Sequence, residues 1–478
     1  MLFNSVQYLI FLPIVFIIYW NLVKGRNLRN LFLIAASYLF YGWWDWRFLI
    51  LIFITTSCSF ASGLLLNKYD RVVARKTILW SNVALNLGIL GLFKYFNFFA
   101  RNFAEILRSM GMTPDDVTLD LILPVGISFY TFQALSYTID VYRRKIKATT
   151  DVIAFFTFIS FFPQLVAGPI ERATNLLPQF ERDRKFDYEK AVDGCRQILW
   201  GLFKKMVVAD TCAVHVNEIF GAYDTEGSIL LFLGAILFTF QIYGDFSGYS
   251  DVAIGTANLF NVNLMTNFKN PYFSRDVAEF WRRWHISLNT WFREYVYIPL
   301  GGSRCSKGKV LRNTMVVFLL SGFWHGAEWT YVAWGIYHGI LFVPLIISGK
   351  NTRYTDYAGS GRFLPSFKES LAMGLTSMLV VIGWILFRAD NIEIAWGYLS
   401  RMFTAFDVMN PITCKTALMW CLILVVIEWF TRKKTFPLQI EGHGILRFRA
   451  ARWMLYAGLT MIVLIFAGQQ TDFIYFQF

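Results

Sequence analysis

Charge is what this sequence has least of. Asp, Glu, Lys and Arg make up 16% of its 478 residues, against about 25% in soluble globular chains. Water is therefore not its main solvent. Cysteine is sparse as well: Cys58, Cys195, Cys212, Cys305, Cys414 and Cys421 show no C-x-x-C spacing, and most lie within or beside apolar runs. Neither a disulfide framework nor a metal site is indicated. The chain also lacks G-x-S-x-G, H-E-x-x-H, Walker A and His-x4-Asp patterns, so soluble-type hydrolase, zincin and nucleotidase readings lose their support. No repeat, low-complexity tract or Pro/Ser-rich linker interrupts it, and the polar insertions near 171–192 and 349–370 are too short to fold alone. One membrane domain over 1–478 is the expectation.

Apolar residues dominate instead: 56% are hydrophobic and 18% aromatic, with a mean hydropathy of +0.45. Aromatic rings are enriched where helices meet lipid headgroups. Runs near the ~20 residues needed to cross a bilayer occur at 6–23, 30–44, 47–66, 77–96, 121–141, 150–168, 228–243, 329–347, 371–387, 413–430 and 453–468. The expected fold class is therefore an all-α polytopic membrane protein with about eleven transmembrane helices. Two further stretches, 195–213 and 250–265, are interrupted by Lys204, Lys205, Asp210 or Gly255, and 314–325 is short; re-entrant or interfacial helices suit them better than full crossings. The first run lacks a basic leader and a cleavage site, so it reads as a retained span rather than a signal peptide.

The formal charge of +13 falls in short clusters between apolar runs, which are topology signals and not a nucleic-acid surface. Clusters at Lys24 to Arg29, Lys68 to Lys76, Arg143 to Lys147, Arg304 to Arg312 and Arg432 to Lys434 are assigned to the cytoplasm by the positive-inside rule. Counting spans from them places the N-terminus and the tail after Gly468 outside.

Only five histidines are available for proton transfer: His215, His285, His325, His338 and His443. His325, in Ser321-Gly322-Phe323-Trp324-His325-Gly326-Ala327-Glu328-Trp329, is an ionisable group at membrane depth, which is a functional hypothesis by default. Its imidazole can accept a hydroxyl proton at neutral pH, and Gly326 permits close approach of other groups. His285 sits where Trp281, Trp284, Leu288 and Trp291 recur at helical spacing, predicting one amphipathic helix with an aromatic face. An interfacial anchor explains those tryptophans without needing the histidine, so catalytic support and structural hydrogen bonding both stand for His285. His338, thirteen residues past His325, would lie ~20 Å away along one continuous helix, which favours a structural role. His215 and His443 are expected to be uninvolved. Asp245 and Asp251 flank Phe246-Ser247-Gly248-Tyr249-Ser250, where a broken, cavity-lining backbone is expected; helix capping is the plainer explanation of these carboxylates, and coupling in a transporter is the alternative.

The motifs together resemble the membrane-bound O-acyltransferase (MBOAT) family, in its bacterial alginate O-acetylation branch. The likeness rests on Leu123-Pro124-Val125-Gly126-Ile127-Ser128-Phe129-Tyr130-Thr131-Phe132-Gln133, Phe161-Phe162-Pro163-Gln164-Leu165-Val166-Ala167-Gly168-Pro169-Ile170, Asp245 to Asp251, Trp281 to Arg293 and Phe323-Trp324-His325-Gly326. It implies a ring of tilted helices around a central tunnel joining a cytoplasmic acyl donor to an external acceptor in the cell inner membrane. It implies His325 as catalytic histidine and general base, and His285 as the second histidine, polarising or orienting the donor. The donor would be acetyl-CoA or another acyl thioester, with no bound cofactor, and the acceptor a polysaccharide hydroxyl reached through an extracytoplasmic partner of acetylesterase-like fold. The closing hexapeptide Phe473-Ile474-Tyr475-Phe476-Gln477-Phe478 looks like the aromatic tail of this branch. It implies Tyr475 as a covalent acyl carrier, although an interfacial aromatic belt accounts for the same residues. D-alanyl transfer to a cell-wall polymer remains the enzymatic alternative.

Overall fold

A computed structural model of the protein describes residues 1–115, 118–406, 413–440, 444–468, 471, 473 and 474, and all of its longer regular elements there are helical. They fall into two compact units, Met1–Ala191 with Thr256–Met265, and Val192–Gly255 with Thr266–Phe478.

In the first unit the Val6–Ile17 helix is capped by the Ser5 hydroxyl, which accepts from the Tyr8 N–H at 3.2 Å, and runs on through a π turn at Ile18–Leu22. The helices Arg26–Gly42, Phe48–Lys68 and Val72–Leu90 follow. Ile127–Tyr142 packs against the last two and is buried on nearly every face. It starts where it does because Gly126 adopts a left-handed φ of 75° and a Cβ there would collide with the Leu165 carbonyl. The lipid-compatible side of this unit is apolar: Leu9, Ile10, Ile14 and Ile17 of the first helix all point outward.

Five helices are long and apolar enough to cross a bilayer: Phe48–Lys68, Val72–Ser109, Ser228–Leu259, Trp329–Ile347 and Phe367–Arg388, with Val6–Leu22 a shorter apolar one. The expected eleven are not recovered among the described residues by that measure. Two of the missing runs are broken by local chemistry. The 121–141 run becomes helical only from Ile127, after Gly126, and 150–168 splits into Val152–Ser160 and Phe162–Leu165 around Pro163, which lacks the N–H a continuing helix needs. Ile127–Tyr142 is almost wholly buried in protein and Val152–Ser160 mostly so, and hydropathy does not separate such burial from lipid contact.

In the second unit the 195–213 stretch is helical throughout. Tyr188–Leu202 passes through a π-helical segment, Phe203–Ala209, into Asp210–Gly221. The break expected near Asp245 to Asp251 is also absent, since Ser228–Leu259 is one helix of 32 residues that absorbs both the 228–243 and most of the 250–265 runs. Its glycines serve packing instead: a Cβ on Gly248 would sit 2.7 Å from the Gly201 carbonyl, and one on Gly255 2.5 Å from that of Gly194. Two helices thus approach backbone to backbone, as small residues allow in membranes.

Candidate active site

His325 is the last residue of the Lys307–His325 helix and is 5% exposed. Gly326 ends that helix with an extended backbone, and any Cβ on it would run into the Tyr331 ring. The close approach expected at Gly326 is therefore taken by the ring of Tyr331, from the start of Trp329–Ile347. Three aromatic rings wall the imidazole nearly edge-on: Trp324 at 4.9 Å, Trp334 at 5.3 Å and Phe387 at 5.3 Å between centroids.

The predicted amphipathic helix through Trp281 and Trp291 is two helices, Val277–Arg283 and Ile286–Phe292. His285 makes the break with a left-handed φ of 44°, an uncommon conformation for a side-chain-bearing residue. Trp281, Trp284, Leu288 and Trp291 are all buried, so the interfacial-anchor explanation fails: they fill the unit's core rather than a headgroup layer. The break is held by Asn267. Its carbonyl accepts the Ile286 N–H at 2.9 Å, and its side-chain oxygen accepts from Ser287 Oγ at 2.9 Å and from the Ser287 N–H at 3.3 Å. Since a backbone N–H can only donate, that amide atom is the oxygen, and His285 Nδ1, 3.1 Å from it, is the donor. A neutral His285 therefore presents Nε2 as an acceptor. The amide nitrogen of Asn267 donates on to Ser250 Oγ at 3.1 Å.

The two singled-out histidines come together: the His285 and His325 rings are 6.5 Å apart. His338 does not join them. It is not on the same helix as His325, contrary to the spacing argument, but Trp334 packs against both, 5.3 Å from His325 and 5.1 Å from His338. His215 lies 3.5 Å from Glu218, and His443 lies outside the described residues.

Beside His285 the Phe246 ring stands edge-on at 4.7 Å, and Phe473 packs 6.3 Å from Phe246 and 4.5 Å from Tyr249. The chain's last described residues are thus built into this site. The Ile474 N–H donates to Asp245 Oδ2 at 2.7 Å, and Thr471 Oγ1 donates to Asp210 Oδ1 at 2.6 Å. Lys205 Nζ, 2.7 Å from both carboxylates, also donates to the Thr471 carbonyl at 3.1 Å. Tyr475 lies outside the described residues. Asp251 is likewise held, 2.6 Å from Lys204. With cations already seated on Asp245 and Asp251, neither carboxylate stands open for ion coupling, which weakens the transporter alternative.

Asn267 and the Lys205–Asp210 pair were missed in the sequence. Lys205 and Asp210 do carry a signal, as charges inside an apolar run; a lone Asn carries none.

Residues 142–382 match the family model described as MBOAT, membrane-bound O-acyltransferase family. The chain is 41% identical over 407 residues to the probable alginate O-acetylase AlgI of Pseudomonas aeruginosa, covering 84% of this chain and 75% of that protein. It is 31% identical to the peptidoglycan O-acetyltransferase of Helicobacter pylori over 100% of this chain and 98% of the relative. It is 32% identical to the teichoic acid D-alanyltransferase of Streptococcus thermophilus over 56% and 69%. With both buried histidines inside the matched stretch and the likeness running over most of its length, this chain belongs to the membrane-bound O-acyltransferase family and is an O-acyltransferase.

Proposed function

We propose that the protein moves an acetyl group from a cytoplasmic thioester, acetyl-CoA, across the inner membrane for O-acetylation of an extracytoplasmic polysaccharide. The observation that carries the reading is one buried place where His285, His325 and the anchored tail residues Thr471, Phe473 and Ile474 converge through Phe246.

In the transfer, His325 accepts the proton of the attacking hydroxyl as its oxygen bonds to the thioester carbonyl carbon. The carbon–sulfur bond then breaks, and the leaving thiolate takes the proton back from the imidazolium. The tautomer imposed by Asn267 supports an orienting role for His285, because an acceptor at Nε2 holds a hydroxyl, whereas polarising a carbonyl requires a donor. Tyr475 follows directly on the pinned Ile474, which supports its hydroxyl as first acceptor. An extracytoplasmic partner of acetylesterase-like fold then passes the group to a sugar hydroxyl.

The likeness to a D-alanyltransferase favours a second reading in which the group is D-alanyl. Membrane vesicles supplied with acetyl-labelled acetyl-CoA, or with a D-alanyl thioester, separate the two. The proposal expects acetyl label on the protein's C-terminal peptide and then on the glycan; label only from the D-alanyl donor would overturn it.

A further inference from the structure

The first unit holds a cleft of about 510 Å³ lined by Phe16, Trp20, Asn21, Arg29, Arg184, Lys185 and Phe186. Three of those seven residues are cations, and no carboxylate among the described residues lies within 4.0 Å of any of them. Arg184 is 6% exposed, yet its guanidinium meets only neutral acceptors: Tyr19 Oη at 2.7 Å, the Gln179 carbonyl at 2.9 Å and Asn30 Oδ1 at 2.5 Å. Arg29 donates to the carbonyls of Val23 at 3.1 Å and Arg184 at 2.6 Å and stacks over the Trp20 ring at 4.8 Å. Another arginine of the same unit is treated differently, since Arg26 has Asp151 at 2.9 Å. A buried cation left without counter-charge is costly, and an anion drawn into the cleft would offset that cost.

The rest of the lining is largely aromatic. Phe186 packs edge-on against Trp20 at 5.4 Å and Phe16 at 6.0 Å, and the same helical stretch exposes Ile17 and Leu22 on its outer side. Cations beside apolar rings suit a ligand with a phosphate at one end and hydrocarbon at the other; free phosphate has no use for the rings. We propose that this cleft binds the phosphate of an anionic phospholipid headgroup, with its acyl chains along Phe16 and Ile17. Basic pockets beside membrane helices take such headgroups.

The test is thermal stabilisation of the purified full chain in detergent by dioleoylphosphatidylglycerol, with dioleoylphosphatidylcholine, inorganic phosphate and CoA as separate arms. Phosphatidylglycerol should stabilise the wild type saturably and phosphatidylcholine should not. With about fivefold in affinity per neutralised cation, Arg29→Gln/Lys185→Gln should raise the half-saturating lipid concentration about 30-fold, and Arg29→Lys/Lys185→Arg should restore it. If the double glutamine variant does not fold, Lys185→Gln alone, at an exposed side chain, should lower lipid retention in native mass spectrometry about fivefold. An unchanged lipid response in the variants, an equal response to phosphatidylcholine, or saturation by phosphate or CoA at the concentration that suffices for phosphatidylglycerol would each overturn the proposal.

Discussion

The backbone N–H of Ile474 donates to Asp245 at 2.7 Å, so this residue is held by a buried carboxylate one residue from the Phe246 ring that touches His285. Lys205 completes the arrangement by bridging Asp245, Asp210 and the Thr471 carbonyl. Removing one partner of a buried ion pair costs about 3–5 kcal/mol. Lys205→Met should therefore release the tail: a cysteine placed at Ile474 should become reactive to a thiol reagent, and acyl transfer should fall. A variant whose tail stays shielded would show that the tail is held by packing of Phe473 alone.

His325→Ala should lower acyl transfer by about 10²–10⁴-fold, the usual contribution of a general base, while the protein still inserts and elutes as the wild type. Acetyl release from acetyl-CoA in membrane vesicles is the direct measurement. Near-wild-type turnover by a well-expressed variant would remove His325 from the proton transfer.

Asn267→Ala should lower kcat by about 10–100-fold, equivalent to the 1–3 kcal/mol of a buried donor left without its acceptor. The loss should spare KM, because Asn267 lies behind His285 and sets its tautomer. Asn267→Asp keeps an acceptor at the same place and should recover more activity than Ala. Equal loss in both, with KM rising, would mark Asn267 as merely structural.

Tyr475→Phe keeps the ring's apolar surface and removes the side-chain hydroxyl that would carry the acyl group. If Tyr475 is the carrier, glycan acylation drops to background while slow thioester cleavage to water persists at His325. Normal acylation by this variant, with deletion of residues 473–478 only lowering protein abundance, would leave the tail as an anchor.

The orientation is open to cysteine labelling on intact cells: the Arg143 to Lys147 loop should be shielded from impermeant reagents and the tail after Gly468 accessible. The opposite pattern would reverse the direction of transfer.

Composition alone determined that this is a helical membrane protein, because scarce charge and long apolar runs leave no other solvent for it. Ordered motifs around His285 and His325 also made the family legible and singled out two histidines whose rings the fold brings 6.5 Å apart. The count of about eleven spans is not confirmed: five helices among the described residues are long and apolar enough to cross, and the Ile127–Tyr142 helix is buried in protein, which hydropathy scores as it would score lipid. The continuity of Ser228–Leu259 was not legible in the sequence, where Gly248 and Gly255 read as breaks but serve as contact points for Gly201 and Gly194. The partners of each functional group were decided only in three dimensions. Asn267 reaches His285, and Asp245 reaches Ile474, across separations in sequence that no local pattern encodes, because hydrogen bonds depend on where folded backbones meet.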